Sequence, residues 1–360
     1  VFVALELVTV SFYVLVAFAR KSALSLEAGV KYLILGALST GVLVYGIAWV
    51  YGATGSMNFD AIGKALANPG TSKAAALFGA ALILAGLGFK VAAAPFHMWV
   101  PDVYQGAPTP VTTFLSVGSK AAGFVVLTRA LDAFLAKGSV IADEVQAVLL
   151  VGGSLTVLLG SLPAIYQTSV KRLLAYSSIS HAGYLLLALA CGGDGRFDIG
   201  SNGIVAFYLA TYLPMTVLGF LALGLMRVNG QGEDLGDFQG LAKRSPVLAL
   251  VITIAFASLA GLPLTAGFIG KMFVFLSLVD HGYWGALTCA VIAAAAGFYY
   301  YFRIILSMYT TEGGEKPALT PAPLTKAIAC GLALVILALG VYPRPLQKVL
   351  TPPAAGVAVK

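Results

Sequence analysis

The sequence predicts an all-α membrane protein, a polytopic helical bundle with about ten crossings when ~20 residues is taken as the ruler for one span. Three observations carry this. The chain has 360 residues, of which 59% are hydrophobic and only 10% charged; an ordinary soluble domain carries about 25% charged residues. So few charges cannot build a water-facing surface. Apolar runs such as 32–51, 148–166 and 327–342 reach or approach the length needed to cross a ~30 Å hydrocarbon layer as helix. The period-two alternation of β-barrel strands is absent.

Taken in order, the crossings are expected at 1–19, 31–51, 74–105, 108–135, 146–166, 173–192, 203–226, 246–279, 284–308 and 327–343. The chain opens at Val1, without a methionine or a basic leader, already inside an apolar run that contains Glu6; upstream helices are expected to be missing. The third and eighth segments are too long for one straight helix. Each contains breakers, Pro95 and Pro101 in the third and Gly261, Pro263 and Gly267 in the eighth, so both are expected to be broken helices. Interrupted backbone inside a bilayer is tolerated only where protein or a water-filled cavity satisfies its freed polar groups, and paired interruptions mark transport pathways. The breaks lie five crossings apart, which suggests inverted five-helix repeats: a first over 1–135, N-terminally incomplete, a second over 136–310, then a C-terminal transmembrane helix and tail over 311–360.

The net charge of +7 does not indicate a nucleic-acid partner, because the basic residues are scattered singly or in pairs among connectors and helix ends, where interfacial anchoring explains them. By the positive-inside rule, Arg20, Lys21, Lys171, Arg172, Arg227, Lys243, Arg244, Lys316 and Lys326 place the ends that follow odd-numbered crossings in the cytoplasm and the C-terminus outside, against Arg344, Lys348 and Lys360 in the tail. Cys191, Cys289 and Cys330 are isolated from one another, so no CxxC metal or redox site is available, and they are expected to be small buried residues.

Ionisable residues inside the apolar segments carry the functional reading. Lys120 stands about ten residues into its helix, ~15 Å deep and near the midplane, with Thr112 and Ser116 at i−8 and i−4 forming a polar stripe that could hold water beside the ammonium. Lys90 precedes the first break and Lys271 follows the second. A charge at the bilayer centre costs roughly 2.5–3.5 kcal/mol on insertion scales. Each lysine either snorkels or ties down a carbonyl at a break, or is a carrier whose charged form desolvation disfavours, so that it can release and regain a proton. Two lysinium charges ~8 Å apart at an effective dielectric of ~20 would repel by about 2 kcal/mol, so charging one would discharge its neighbour.

Glu6 is the one carboxylate of the first segment, and a Glu–Lys pair makes a switchable gate. Lys31 is a candidate partner for it, and equally fits an interfacial anchor. Tyr176, Ser180 and Tyr184 at i, i+4, i+8, beside Ser177 and His181 at i, i+4, form two adjacent polar ridges able to relay protons. His97, directly after Pro95, fits either a relay or a structural hydrogen bond; His281, in a loop, is expected to be solvated. Gly270-Lys271 resembles the end of a phosphate loop, but Met272 replaces the required Ser or Thr. No dinucleotide fingerprint or nucleophile elbow is present, so no nucleotide or flavin site is expected.

The stretches Phe89-Lys90, Pro95-Phe96-His97-Met98-Trp99-Val100-Pro101-Asp102-Val103-Tyr104-Gln105-Gly106-Ala107-Pro108-Thr109-Pro110-Val111 and Ser119-Lys120, with 169–181 and Gly267-Phe268-Ile269-Gly270-Lys271, resemble the antiporter-like membrane subunits of respiratory NADH-quinone oxidoreductase (complex I), of the subunit N type. The resemblance runs through most of the chain. It implies that Glu6 is the gating glutamate, Lys90 its partner, Lys120 the central relay, His181 the relay between halves and Lys271 the lysine of the second half-channel. It further implies proton movement driven by redox chemistry elsewhere, with no cofactor in this chain. NAD, FMN, iron–sulfur clusters and quinone would lie in other subunits. The partners would be those membrane subunits, including neighbouring antiporter-like ones, and the location a bacterial inner membrane. The alternatives are an Mrp-type cation/proton antiporter or membrane-bound hydrogenase subunit, or a non-transporting scaffold; the close match at 95–111 and the chain's stop shortly after its last crossing favour subunit N.

Overall fold

A computed structural model of the chain describes residues 1–192, 199–228, 232–310 and 321–351, and among these it contains helices and no sheet. Eight helical segments are long and apolar enough to cross a membrane, and Phe2–Val16 and Pro246–Ala260 are shorter apolar helices; together they supply the expected crossings. Lys316 and Lys360 of the orientation reading lie outside the described residues.

The first part of the chain forms α1 (Phe2–Val16), α2 (Ala23–Thr54), a short α3 (Phe59–Leu66), α4 (Lys73–Val91) and α5 (Trp99–Gly106). The helices α2, α3 and α4 begin where the side chains of Ser22, Asn58 and Ser72 accept hydrogen bonds from backbone N–H groups of the first turn, which would otherwise be unpaired. Then come α6 (Thr109–Phe114), a π-helical turn at Leu115–Ser119, and α7 (Lys120–Phe134), one continuous span of 26 residues. There follow α8 (Ala142–Ser161), α9 (Val170–Cys191), α10 (Gly200–Val228), a single turn α11 (Leu241–Arg244), α12 (Pro246–Ala260), α13 (Ala266–Asp280), α14 (Trp284–Tyr309), α15 (Pro323–Val341) and α16 (Arg344–Leu350).

Lipid offers no hydrophobic driving force between helices, so close backbone approach must hold them. Glycines provide it: a Cβ on Gly46 of α2 would come 2.8 Å from the backbone nitrogen of Ile83, and one on Gly86 of α4 would come 2.6 Å from Leu43 Cβ. The centre of the bundle is α9, in which every residue but Arg172 and Tyr176 is buried. By contrast α2 turns Ile34 and Leu38 outward, as a lipid-facing helix does.

Both long segments are broken, but not at every residue the sequence nominates. The helix α4 ends at Val91 with Ala92 in the left-handed region (φ 66°), ahead of Pro95. Pro101 does not break anything: it sits in the first turn of α5, where a missing N–H has no intrahelical partner to lose. In the eighth segment α12 stops at Gly261 (φ 94°), a conformation a glycine adopts without steric cost, and Pro263 lies in the gap. Gly267 already belongs to α13, where its N–H donates to Ser258 Oγ at 3.1 Å; it permits close approach of the two halves rather than the break.

Two further expectations need correction. The second span begins at Ala23, not near residue 31, so Lys31 stands two turns inside α2. Lys171 is no interfacial anchor, since its side chain is wholly buried. Among the cysteines Cys191 is buried and Cys289 and Cys330 half-buried, all free.

Candidate functional site

Glu6 on α1 faces Lys90, in the last turn of α4 before the first break, at 2.9 Å. Lys90 Nζ donates to Thr9 Oγ1 at 2.7 Å, and Thr40 Oγ1 of α2 donates to Glu6 Oε2 at 2.7 Å. Glu6 Oε1 has no hydrogen bond of good angle, so its contact with Lys90 is an ion pair rather than an aligned bond. This overturns Lys31 as the partner. Lys31 instead pairs with Asp102 and Glu27, each at 2.7 Å, because two turns inside α2 it meets the first turn of α5 rather than α1.

Lys120 opens α7 directly after the π turn and is 3% exposed. Single π turns inside α-helices occur frequently at functional sites. Its ammonium donates to the carbonyl oxygen of Ser178 on α9 at 2.5 Å and also to Ser178 Oγ. The stripe of Thr112 and Ser116 is not its partner: Thr112 Oγ1 donates to Tyr104 O at 3.1 Å and Ser116 Oγ to Thr113 O at 2.8 Å. Both hydroxyls donate their protons to backbone carbonyls, and the π turn between Thr112 and Lys120 displaces the i−4 register the stripe assumed. Gly123, one turn beyond Lys120, packs on Lys90: a Cβ added to this glycine would lie 3.5 Å from Lys90 Cβ. The two lysines thus belong to one packed interface, α4 on α7.

His181, buried on α9, shares a hydrogen bond between Nδ1 and Tyr208 Oη at 2.7 Å, and a longer one between Nε2 and Tyr301 Oη at 3.4 Å. Tyr301 in turn bonds the hydroxyl of Ser177. The two adjacent ridges of α9 therefore have unequal roles. Ser177 and His181 meet the same phenol, Tyr184 Oη donates to Ala290 O at 3.1 Å, and Ser180 bonds Ser161 at 2.7 Å. Tyr176 is half-buried against the core and no hydrogen bond joins it to His181 among the described residues.

Lys271 on α13 donates to the carbonyls of Leu259 and Ala260, at 2.9 and 2.7 Å, the last residues of α12. Its ammonium also lies 5.5 Å from the centre of the Tyr184 ring. One face of α9 consequently joins both sides of the molecule: Ser178 receives Lys120, His181 follows at i+3, and Tyr184, a further three residues on, receives Lys271.

His97 is half-buried in the first break, and its Nδ1 is buried without a hydrogen-bond partner. His281 is exposed at the end of α13, its Nδ1 bonded to Ser277 O at 2.8 Å. Residues the sequence did not nominate complete the arrangement: Thr9 and Thr40 at the Glu6–Lys90 pair, Ser178 at Lys120, and Tyr208 and Tyr301 at His181. For the tyrosines the available signal was a phenol in the middle of an apolar helix, which needs a partner when buried. The hydroxyls of Thr9, Thr40 and Ser178 left none, because such groups can satisfy themselves on the preceding helical turn.

With this geometry established, comparison with known proteins is specific. The family described as NADH:quinone oxidoreductase/Mrp antiporter, TM, matches residues 1–297. NADH-quinone oxidoreductase subunit N of Methylococcus capsulatus is 44% identical over 347 residues, covering 96% of this chain and 69% of the relative. Among solved structures, a chain of respiratory complex I from Thermus thermophilus with bound aureothin aligns with a TM-score of 0.82 at 36% identity, over 97% of this chain and 74% of that one. A chain of the membrane-bound sulfane sulfur reductase, an archaeal respiratory membrane complex, aligns at 0.89 with 30% identity, over 97% and 69%.

Proposed function

The chain belongs to the NADH:quinone oxidoreductase/Mrp antiporter transmembrane family, and from that premise we propose that it is the subunit N type of membrane subunit in a proton-translocating NADH-quinone oxidoreductase. The observation that carries the proton-moving role is the row of buried and half-buried protonatable groups from Glu6–Lys90, on α1 and α4, to Lys120–Ser178, His181 and Lys271, the last three of which meet along α9. Glu6 and Lys90 face each other as an ion pair that threonine hydroxyls also hold, while Lys120, His181 and Lys271 are held by hydroxyls or carbonyls, with no carboxylate partner among the described residues. Between Ser178 and His181 the path has no direct hydrogen bond among the described residues, so a proton crosses there by water or side-chain rotation.

The direction of transfer follows from coupling. A charge moved against a membrane potential costs about 2.3 kcal/mol per 100 mV, which redox chemistry outside this chain supplies. The electron carriers belong to other subunits on this reading. The chain's partners are the neighbouring membrane subunits and the lipid of a bacterial inner membrane, and the halves 1–135 and 136–310 each contribute one broken helix.

One observation favours a second reading, the scaffold. Lys271 caps two carbonyls that end a helix inside the membrane, which is a structural task in its own right. Replacing Lys120 and Lys271 by methionine in the assembled complex separates the two. Proton transport should fall while quinone reduction continues; normal transport with normal assembly would leave only the scaffold.

A further inference from the structure

The pair Lys171 and Arg172 opens α9 with two adjacent cations, where the helix macrodipole disfavours positive charge. Something specific must offset that. Lys171 is wholly buried; its ammonium donates to Ala107 O at 2.7 Å and stands 3.4 Å from Glu233 Oε1, a carboxylate that also faces Arg227 at 3.3 Å. Arg172 donates through Nη1 to Asp102 Oδ1 at 3.0 Å and to Gln105 Oε1 at 2.8 Å. The other oxygen of Asp102 takes Lys31.

Apart from Glu233, the partners of Lys171 and Arg172 fall on one short stretch, residues 102–107 of α5 and its C-terminal end. Ala107 is the residue at which α5 stops and the chain turns into α6, the π turn and Lys120. Seven residues along α9 from Lys171, about 10 Å at 1.5 Å per residue, stands Ser178. Ser178 itself makes a further link to α5, Tyr104 Oη to Ser178 Oγ at 3.3 Å. Residues 102–107 are therefore bonded to α9 at two levels, its start at Lys171 and Arg172 and, two turns on, Ser178.

We propose that Lys171 and Arg172 are positioning residues that clamp the end of the first broken helix to α9 and so hold Ser178 opposite Lys120. The clamp fixes both sides of the Lys120–Ser178 contact, because it grips the start of the segment leading to Lys120 and the start of the helix carrying Ser178. It bridges residues of the first half to the second, where the proton path changes halves. The inference rests on that path.

The test uses the assembled complex in its membrane and reads protons moved per electron pair, electron-transfer rate and amount of complex. Arg172→Met should lose a large part of the proton yield that Lys120→Met loses, with electron transfer continuing. Arg172→Lys, which keeps a cation on Asp102, should recover most of it. The double variant Lys120→Met/Arg172→Met should be no worse than Lys120→Met alone, because both act on one contact. Full yield in Arg172→Met, or losses that add in the double variant, would overturn the clamp while leaving the path intact; full yield in Lys120→Met would instead sink the path. Lys171→Met should behave as Arg172→Met does. If it fails to assemble, Gln105→Ala, which removes only one acceptor of Arg172, should give a partial loss, and its absence counts against the clamp.

Discussion

The Glu6 carboxylate stands 2.9 Å from the Lys90 ammonium, joining α1 to the residue that precedes the first helix break. Around the pair, Thr40 holds the second carboxylate oxygen and Thr9 accepts from the lysine, so each ion keeps a partner when the two separate. Glu6→Gln should therefore assemble and lower proton transport sharply, whereas Glu6→Asp should retain part of it. Dye quenching in inverted vesicles, with quinone reduction measured in parallel, checks this; equal transport in Glu6→Gln and the parent would remove Glu6 from the path.

Ser178 offers Lys120 both its carbonyl and its hydroxyl. Ser178→Ala removes only the hydroxyl and its link to Tyr104, a loss of about 1–3 kcal/mol for a buried partner. Transport should fall, but less than in Lys120→Met. A Ser178→Ala variant as inactive as Lys120→Met would make the hydroxyl itself the carrier.

Much of this was legible in the sequence, and the limits have physical reasons. Charge scarcity and span length determine the crossings, and buried ionisable groups announce themselves because they are costly in lipid. The partners do not. Lys31 and Lys90 were both possible mates for Glu6 on composition, and only the start of α2 at Ala23 decides between them, by moving Lys31 to the level of Asp102. The π turn before Lys120 changes which residues share its face, and no periodicity assumed at 3.6 can reveal it. Lys171 looked like an anchor because its burial comes from the 232–245 connector and α5, far away in sequence.

His181 is held between two phenols, with the shorter contact to Tyr208. Tyr208→Phe should change the ring's tautomer and orientation and slow transport; Tyr301→Phe should do less, given the longer contact. The two variants combined should be non-additive, since both act on one imidazole. Proton yields from the single and double variants check this, and strictly additive losses would mean the phenols act independently of His181.

Lys31 is 41% exposed and shared between Glu27 and Asp102. Exposed ion pairs contribute about 0–1 kcal/mol. Lys31→Met should cost the complex little stability and leave the Glu6–Lys90 pair in place, so its transport should stay well above that of Lys90→Met. Thermal stability and proton yield of the two variants, measured side by side, decide it; a Lys31→Met variant as impaired as Lys90→Met would restore Lys31 to the gate.

Lys271 and Lys120 both bond backbone carbonyls, yet their removal should differ. Ser178 lies inside α9, where its carbonyl belongs to a regular helical ladder. Leu259 and Ala260 end α12, and their carbonyls are among the last four that a helix leaves without partners. Lys271 supplies those partners from beyond the break, with its charge at the favourable end of the dipole. Leaving both bare costs about 1–3 kcal/mol each. Lys271→Met should therefore lower the thermal stability and yield of the complex as well as its transport, while Lys120→Met should lower transport alone. Lys271→Arg, which can still donate to both carbonyls, should regain stability without regaining transport, because guanidinium holds its proton at every working pH. If Lys271→Arg recovered both, the lysine would be a cap and nothing more.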